Sequence, residues 1–406
     1  MLRLFALIFC LFAAPARADL ALGQGQTLPG IDVLAARDFD VLRGQRVGLV
    51  TNQTGVTRDG RATLDVLRAA PDVQLAALFA PEHGVRGEIA AGRAVQTYRD
   101  RATGLPVYSL YGATKRPTRA MLKGINALVF DIQSIGSRSY TFIATMGECM
   151  KSCAENQIPL VVLDRPNPVG SRVEGNIART FSFVAPFPIP YRHGLTMGEL
   201  ARWLNAKRGG TCQLTVVSMS GYKREMTWGD TGLNWTPSSP NIPRGDSAFF
   251  YAATGIVGEL PGLSIGIGTA RPFELAGAPG LDARALEQIL KGRNIPGWDF
   301  RAVSWKPTKG RYAGQECQGV QLILVDPKLA EATRINFELW AATRRVAPGV
   351  KFFGSSSHNK MFDLVCGSGQ IRALMQRGAG IDQVLGNWNG DAAAWDKEAR
   401  GAWLYG

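Results

Sequence analysis

A length of 406 residues exceeds one ordinary domain and predicts two, at about 150 residues per domain. With 46% hydrophobic and 19% charged residues and no low-complexity tract, the chain is neither disordered nor a small disulfide-stapled scaffold, and its 47 Gly and 22 Pro suit an α/β protein better than a helical bundle. The net charge of +13 favours an anionic partner such as a cell-wall polymer, but Lys and Arg are spread along the chain without a dense run, which argues against nucleic acid.

Residues 1–18 read as an export signal. Arg3 gives a positive start, residues 4–14 an apolar run too short to span a bilayer, and Ala16-Arg17-Ala18 a small-x-small cleavage site. Bulky Phe9 before Cys10 disfavours a lipid anchor. The mature chain is therefore expected to begin at Asp19, to carry no integral membrane segment, and to be secreted or, most simply, periplasmic. Five cysteines follow the signal, an odd number. Cys149 and Cys153 share a predicted helix, where a disulfide would strain the backbone. Cys212 has Cys317 or Cys366 as possible partners in an oxidising compartment.

Through the first half, short apolar runs alternate with helical spacing. Residues 46–51 (RVGLVT), 73–80 (VQLAALFA), 106–110, 127–132 (ALVFDI) and 158–164 (IPLVVLD) predict buried strands, and 63–70, 118–124 and 141–156 predict helices between them. The repeated β-then-α order predicts a doubly wound parallel sheet, a Rossmann-like domain over 19–208. A boundary is expected near Lys207-Arg208-Gly209-Gly210. Beyond it, strands at 212–219 and 320–325 and helices at 282–291, 330–345, 368–377 and 391–404 predict a smaller mixed α/β domain over 209–406.

Ligands of open parallel sheets bind outside the carboxyl ends of the strands. There the sequence places Asn52 after the first strand, Pro81-Glu82-His83-Gly84 after the second, Asp131-Ile132-Gln133 after the fourth, and Asp164-Arg165-Pro166-Asn167 after the fifth. Cap and turn duties account for Asn52 and Asp131 as well as function does. Glu82 and His83 are favoured by neither duty and stand out. All three histidines, His83, His193 and His358, lie in polar or Gly-bearing segments, which favours a site. Metal binding through His83 and His193 lacks a ligand-spacing motif, and no cofactor is expected. The spacing of Gly48 and Gly55 does not give a dinucleotide fingerprint, Gly266-Ile267-Gly268 lacks its third Gly, and there is no G-x-S-x-G.

The segments VGLVTNQTGV (47–56), LFAPEHGVRGE (78–88), VFDIQSIGSRSYTF (129–142), VVLDRPNP (161–168), PYRHGLTMGELA (190–201), SPNIP (239–243) and RPFELAGAP (271–279) resemble, in order, the signatures of the NamZ/YbbC-like proteins, a glycoside hydrolase family of exo-acting β-N-acetylmuramidases. The resemblance covers nearly the whole mature chain. It implies a Rossmann-like first domain, a smaller α/β second domain and a cleft between them. It also implies release of N-acetylmuramic acid from the non-reducing end of peptidoglycan fragments by cleavage of a β-1,4 bond, in cell-wall turnover or recycling. The family's proposed catalytic carboxylate maps to Glu82. Two departures stand out: Ser134 replaces the acid of the family's Asp-x-Gln-Asp, and Ile267 replaces the Arg of its Gly-Arg-Gly-Thr.

Glycoside hydrolysis needs an acid for the leaving oxygen and support for an oxocarbenium-like centre. On this reading Glu82 is the acid, His83 tunes it, and the second carboxylate comes from Asp131, Asp164, Glu88 or Glu174, in that order. Asn52, Gln133, Asn167 and Asn241 suit sugar hydroxyl and acetamido groups, with His193 beside them. Arg138, Arg165, Arg192 and Arg271 suit the lactyl carboxylate, and Tyr140, Tyr191 and Trp235 suit stacking on a sugar face. Two other readings are a catalytically degenerate muropeptide-binding protein, motivated by Ser134 and Ile267, and an esterase or amidase built on Ser355-Ser356-Ser357-His358.

Overall fold

The computed structural model describes residues 26–90, 92–386 and 388–406; the export signal expected at residues 1–18 lies outside the described residues. β1 (Gln45–Thr51), β2 (Val73–Ala80), β3 (Tyr98–Arg99), β4 (Pro106–Ser109), β5 (Ala127–Asp131), β6 (Leu160–Leu163) and β7 (Leu214–Val217) form one sheet in the order β3-β4-β2-β1-β5-β6-β7. Every neighbouring pair is parallel except β3 with β4. From β1 the chain winds outward through β2 and β4, then returns to the other side of β1 for β5, β6 and β7. The order therefore reverses between β1 and β5.

The unbroken apolar runs arise because successive strand residues serve opposite faces, both covered. Val47, Leu49, Val129, Val161 and Leu163 pack with the helices Gly30–Ala36 and Thr63–Ala69 on one side. Val50, Leu128, Phe130, Leu160 and Val162 pack with Phe142–Asn156 and Met197–Lys207 on the other. The segment expected as a helix at 118–124 is a set of turns, with Gly124 at φ 76° closing it before β5.

The second sheet is antiparallel: β8 (Leu275–Ala278), β9 (Trp298–Trp305) and β10 (Cys317–Leu324), in the order β8-β10-β9. Helices Ser247–Thr254, Ala283–Lys291 and Ala332–Val346 share its core through Phe250, Leu286, Phe300, Phe337 and Trp340. The boundary expected near Gly209 falls too early, because β7 lies beyond it and pairs with β6 in the first sheet. The possible bridge from Cys212 to Cys317 or Cys366 does not form: the five cysteines among the described residues are buried free thiols, with Cys212 in the core of the first sheet and Cys317 and Cys366 in the second unit.

The end of the chain returns to the first sheet. Trp395 and Ala399 enter its core, Arg224 stacks over the Trp403 ring at 4.2 Å, and Leu404 N–H donates to Glu199. The Tyr405 hydroxyl donates to Asp164 Oδ2 at 2.6 Å and accepts from Met219 N–H at 3.0 Å. Tyr405→Phe leaves a buried carboxylate oxygen and a backbone N–H each short of a partner. It should lower unfolding free energy by roughly 1.5–3 kcal/mol, read from urea denaturation; an unchanged midpoint would mean the clasp carries no stability.

Candidate active site

The polar residues at the carboxyl edge of the first sheet divide sharply by partner. Asp131, at the end of β5, is fully buried; Arg165 meets it with Nε–Oδ1 at 2.5 Å and a second bond to Oδ2 at 2.9 Å, and Thr63 adds a further hydroxyl. Arg165 also donates to the Val56 carbonyl at 2.8 Å. The expected second carboxylate and the expected lactyl-binding Arg therefore neutralise each other, as burial of two charges requires.

Asp164 is committed as well. It accepts from Arg165 N–H, Gly198 N–H, the Thr196 hydroxyl and the Tyr405 hydroxyl at 2.6–2.9 Å. Burial still pushes its carboxyl up to about 6, against those four donors. It anchors the start of the helix Met197–Lys207, which a Thr196–Glu199 capping box closes. Glu174, the last of the expected carboxylates, binds Arg192 at 2.6 Å and Thr333 N–H at 2.8 Å. Glu88 is exposed on the loop after β2.

The expected binding residues mostly hold loops. Asn52 Oδ1 accepts from Thr54 N–H at 2.9 Å and from its hydroxyl; Thr54 Oγ1 in turn accepts from Gln133 N–H at 2.9 Å, and Gln133 Nε2 donates to the Ser134 and Pro166 carbonyls at 2.7 Å. This chain sews the loops after β1, β5 and β6 together. Asn167 holds Leu195 O and Val169 N–H. Arg138 donates to the carbonyls of Asn176, Ile189, Val365 and Cys366, a strut from the first unit to the helix Ser356–Cys366, and burial brings its guanidinium down to about 10. Arg192 similarly joins Glu174, the Ala330 carbonyl and the Val169 carbonyl. Tyr191 is fully buried, with its hydroxyl on Ser139.

Asn241 and Arg271 stay open to solvent, half-buried and exposed respectively, Arg271 with Glu274 at 3.8 Å. Trp235 stands edge-on to Trp228 with its Nε1 on the Ile242 carbonyl. The Ser134 hydroxyl is buried without a partner among the described residues, and Ile267 packs against the second core. Ser355 does reach His358 Nδ1 at 2.7 Å, but both are exposed at a helix start, and among the described residues no acid orients the imidazole. No group of three His, Cys, Asp or Glu could hold a metal among the described residues.

Glu82 is different. It follows β2, half-buried, and no Lys or Arg pairs with it among the described residues. Gly92 N–H donates to Oε1 at 2.9 Å and the Thr141 hydroxyl to Oε2 at 2.7 Å. Thr141 precedes the helix Phe142–Asn156, so a core helix fixes the donor. The Tyr111 phenol beside the carboxylate is pushed up to about 12, by burial first and by the charge of Glu82 second. Tyr140 and Tyr251 sense the same charge. Their rings stand edge-on at 5.8 Å; Phe273 backs Tyr251, Phe183 backs Tyr111, and the Tyr140 hydroxyl donates to Ser238 at 2.8 Å. Tyr251 and Phe273 come from the second unit, so the carboxylate faces the seam.

The turn that aims it is unusual. His83 and Gly84 both take positive φ, 75° and 79°, a conformation that costs a non-glycine residue roughly 1 kcal/mol or more. His83 Nδ1 lies 2.8 Å from the Ile89 carbonyl and so carries the proton, while Ile89 N–H returns a bond to the His83 carbonyl. The side chain thereby shapes the loop that brings Gly92 to Glu82. His193, by contrast, is buried away from solvent, with Nε2 unpartnered among the described residues.

Fold and site together define a two-unit α/β protein with a carboxylate-centred aromatic seam, an arrangement suited to carbohydrate chemistry. The chain belongs to the exo-β-N-acetylmuramidase NamZ family: the signature of the NamZ N-terminal domain matches residues 47–246 and that of the C-terminal domain residues 249–405. It is 41% identical to the peptidoglycan β-N-acetylmuramidase NamZ of Bacillus subtilis strain 168, over 95% of this chain and 93% of that protein. Crystal structures of two DUF1343 family proteins from Bacteroides fragilis NCTC 9343 superpose on it. One has a TM-score of 0.90 at 42% identity, covering 94% of this chain and all of that one; the other has 0.75 at 26%, covering 94% and 99%.

Burial, with Arg138 second, lowers His193 to about 3. The unfolded chain takes up this proton near pH 6.5 and the folded chain only near 3, so stability should fall on acidification through that window, by about 1.4 kcal/mol per pH unit from this group. The imidazole resonances of His193 should stay unchanged from pH 7.5 to 5; titration near 6.5 would contradict the burial.

Proposed function

We propose that this chain is a glycoside hydrolase of the exo-β-N-acetylmuramidase type. It releases N-acetylmuramic acid from the non-reducing end of peptidoglycan fragments, and Glu82 is a carboxylate of the chemistry. The observation that carries the residue assignment is the contrast in partners: Asp131, Asp164 and Glu174 are held by cations or saturated with donors, while Glu82 is held by Gly92 and Thr141 and opens onto tyrosines of both units.

The two Glu82 oxygens each accept one hydrogen bond and keep a further lone pair for a proton or for the substrate, which leaves the acid role expected for Glu82 open to it. Thr141 and Tyr111 set its position, Tyr140 and Tyr251 supply apolar ring surface with hydroxyl tips, and Asn241 and the exposed Arg271 suit the sugar's acetamido and lactyl groups. An export signal at residues 1–18 places the enzyme in the periplasm or outside the cell, where peptidoglycan fragments arise during wall turnover and recycling.

With N-acetylmuramyl-β-1,4-N-acetylglucosamine as substrate, the wild type should release both sugars in mass-resolved chromatography. Glu82→Gln should be slower by roughly a thousandfold. Binding of the disaccharide without turnover by the wild type would favour the degenerate binding protein, to which Ser134 and Ile267 point. Thr141→Val removes one hydrogen bond to a charged group and should lower kcat by roughly 10- to 100-fold at nearly constant KM; a rise in KM alone would make Thr141 a binding residue.

A further inference from the structure

Glu82 stands between two unlike sides. In the strand order β4-β2-β1-β5, β2 leads into Glu82, Tyr140 and Thr141 follow β5 on one side, and Tyr111 follows β4 on the other. The Tyr140 side is closed. Its ring meets Phe142 at 5.0 Å and Tyr251 at 5.8 Å, buried Phe273 stands behind Tyr251, and the fully buried Ser238 accepts the Tyr140 hydroxyl. The place of Tyr111 is set by register. Ala80 pairs with Ser109, so Glu82 and Tyr111 each lie two residues beyond paired strand ends, and Leu110 N–H donates to the Ala80 carbonyl at 2.8 Å. The loop that gives Gly92 N–H to Glu82 also gives Val95 N–H to the Tyr111 carbonyl at 2.8 Å.

The Tyr111 side opens outward onto a braced hairpin. The Phe183 ring centroid is 6.2 Å from that of Tyr111, and Lys115 Nζ stands 4.7 Å over the Phe183 ring. Phe181, two residues before Phe183, is 57% exposed, which is unusual for so large an apolar side chain. The hairpin under these rings is fixed from both units. Arg179 and Thr180 N–H both donate to the Gly367 carbonyl, at 2.8 and 2.9 Å, and Ser182 and Ala185 exchange backbone bonds at 3.1 Å. Phe187 enters the core of the first sheet, while Val184 packs on that of the second. Lys115 is exposed and has no carboxylate within 4.0 Å among the described residues; its neighbour Arg116 is taken by Glu155 at 2.9 Å.

We propose that Phe181, Phe183 and Lys115 form a subsite for the leaving side of the substrate glycan, a role that rests on the glycosidase reading above. An exo-acting enzyme seats the terminal sugar at the closed side of its carboxylate, so the rest of the glycan leaves through the open side. There the aromatic rings come first and the unpaired cation beyond them. In a peptidoglycan strand the first sugar past the scissile bond is neutral N-acetylglucosamine, and the second is a muramyl unit with a lactyl carboxylate. Phe181 offers its ring to a sugar face, and Lys115 meets the carboxylate.

The test measures kcat/KM for release of N-acetylmuramic acid from the peptide-free disaccharide and from the tetrasaccharide that repeats it. The wild type should favour the tetrasaccharide by about three- to 30-fold, the sum of an exposed ion pair and one apolar contact. That ratio should fall towards one in Lys115→Ala and in Phe181→Ala, both exposed positions that the core does not need. It should also fall with added salt, and with a tetrasaccharide whose second lactyl group is a methyl ester. A wild-type ratio near one, a ratio untouched by both substitutions, or a preference that appears only when stem peptides are attached would overturn the subsite. Failure of the wild type to cleave either saccharide would instead overturn the glycosidase reading and the subsite with it.

Discussion

The buried Asp131–Arg165 pair is the constraint on which the site depends. A carboxylate at the end of a central strand, with no solvent, demands a cation, and Arg165 from the next strand's loop supplies it in two bonds. That bond ties the loop after β6 to the end of β5 beside the point where strand order reverses. The Asn52, Thr54 and Gln133 bonds extend the tie to the loop after β1. The result is a stiff carboxyl edge whose polar groups are largely consumed by one another. Only the loop after β2 escapes, and it carries Glu82.

Rigidity on this edge is matched across the seam. Arg138 and Arg192 donate to backbone carbonyls in both units, and the last residues of the chain clasp Asp164 and Glu199. Such contacts tie the two units into one framework, in which Tyr251 of the second unit stands edge-on to Tyr140, the neighbour of the Thr141 that donates to Glu82. Groups held in place in this way need no rearrangement during a reaction.

The doubly wound sheet could be read from the sequence because its strands are buried on both faces and appear as unbroken apolar runs. β9 escaped, since only one of its faces is buried and Asp299, Arg301 and Ser304 interrupt its pattern. The edge residues were found as a group but not sorted. A carboxylate at a strand end looks the same in sequence whether or not a cation waits in space. Arg165 is adjacent to Asp164 in sequence, yet its side chain reaches Asp131. Glu82 and His83 stood out because neither is a favoured cap or turn former, and the structure adds that His83 takes a positive φ of 75°.

The most direct measurement is a crystal structure of the Glu82→Gln protein with the intact disaccharide bound. The muramyl ring should lie in the seam, with its anomeric carbon beside residue 82, ring contacts to Tyr140 or Tyr251, and no hydrogen bond to Asp131 or Asp164. A sugar seated over Asp131 or Asp164, with residue 82 out of contact, would contradict the division between structural and reactive carboxylates.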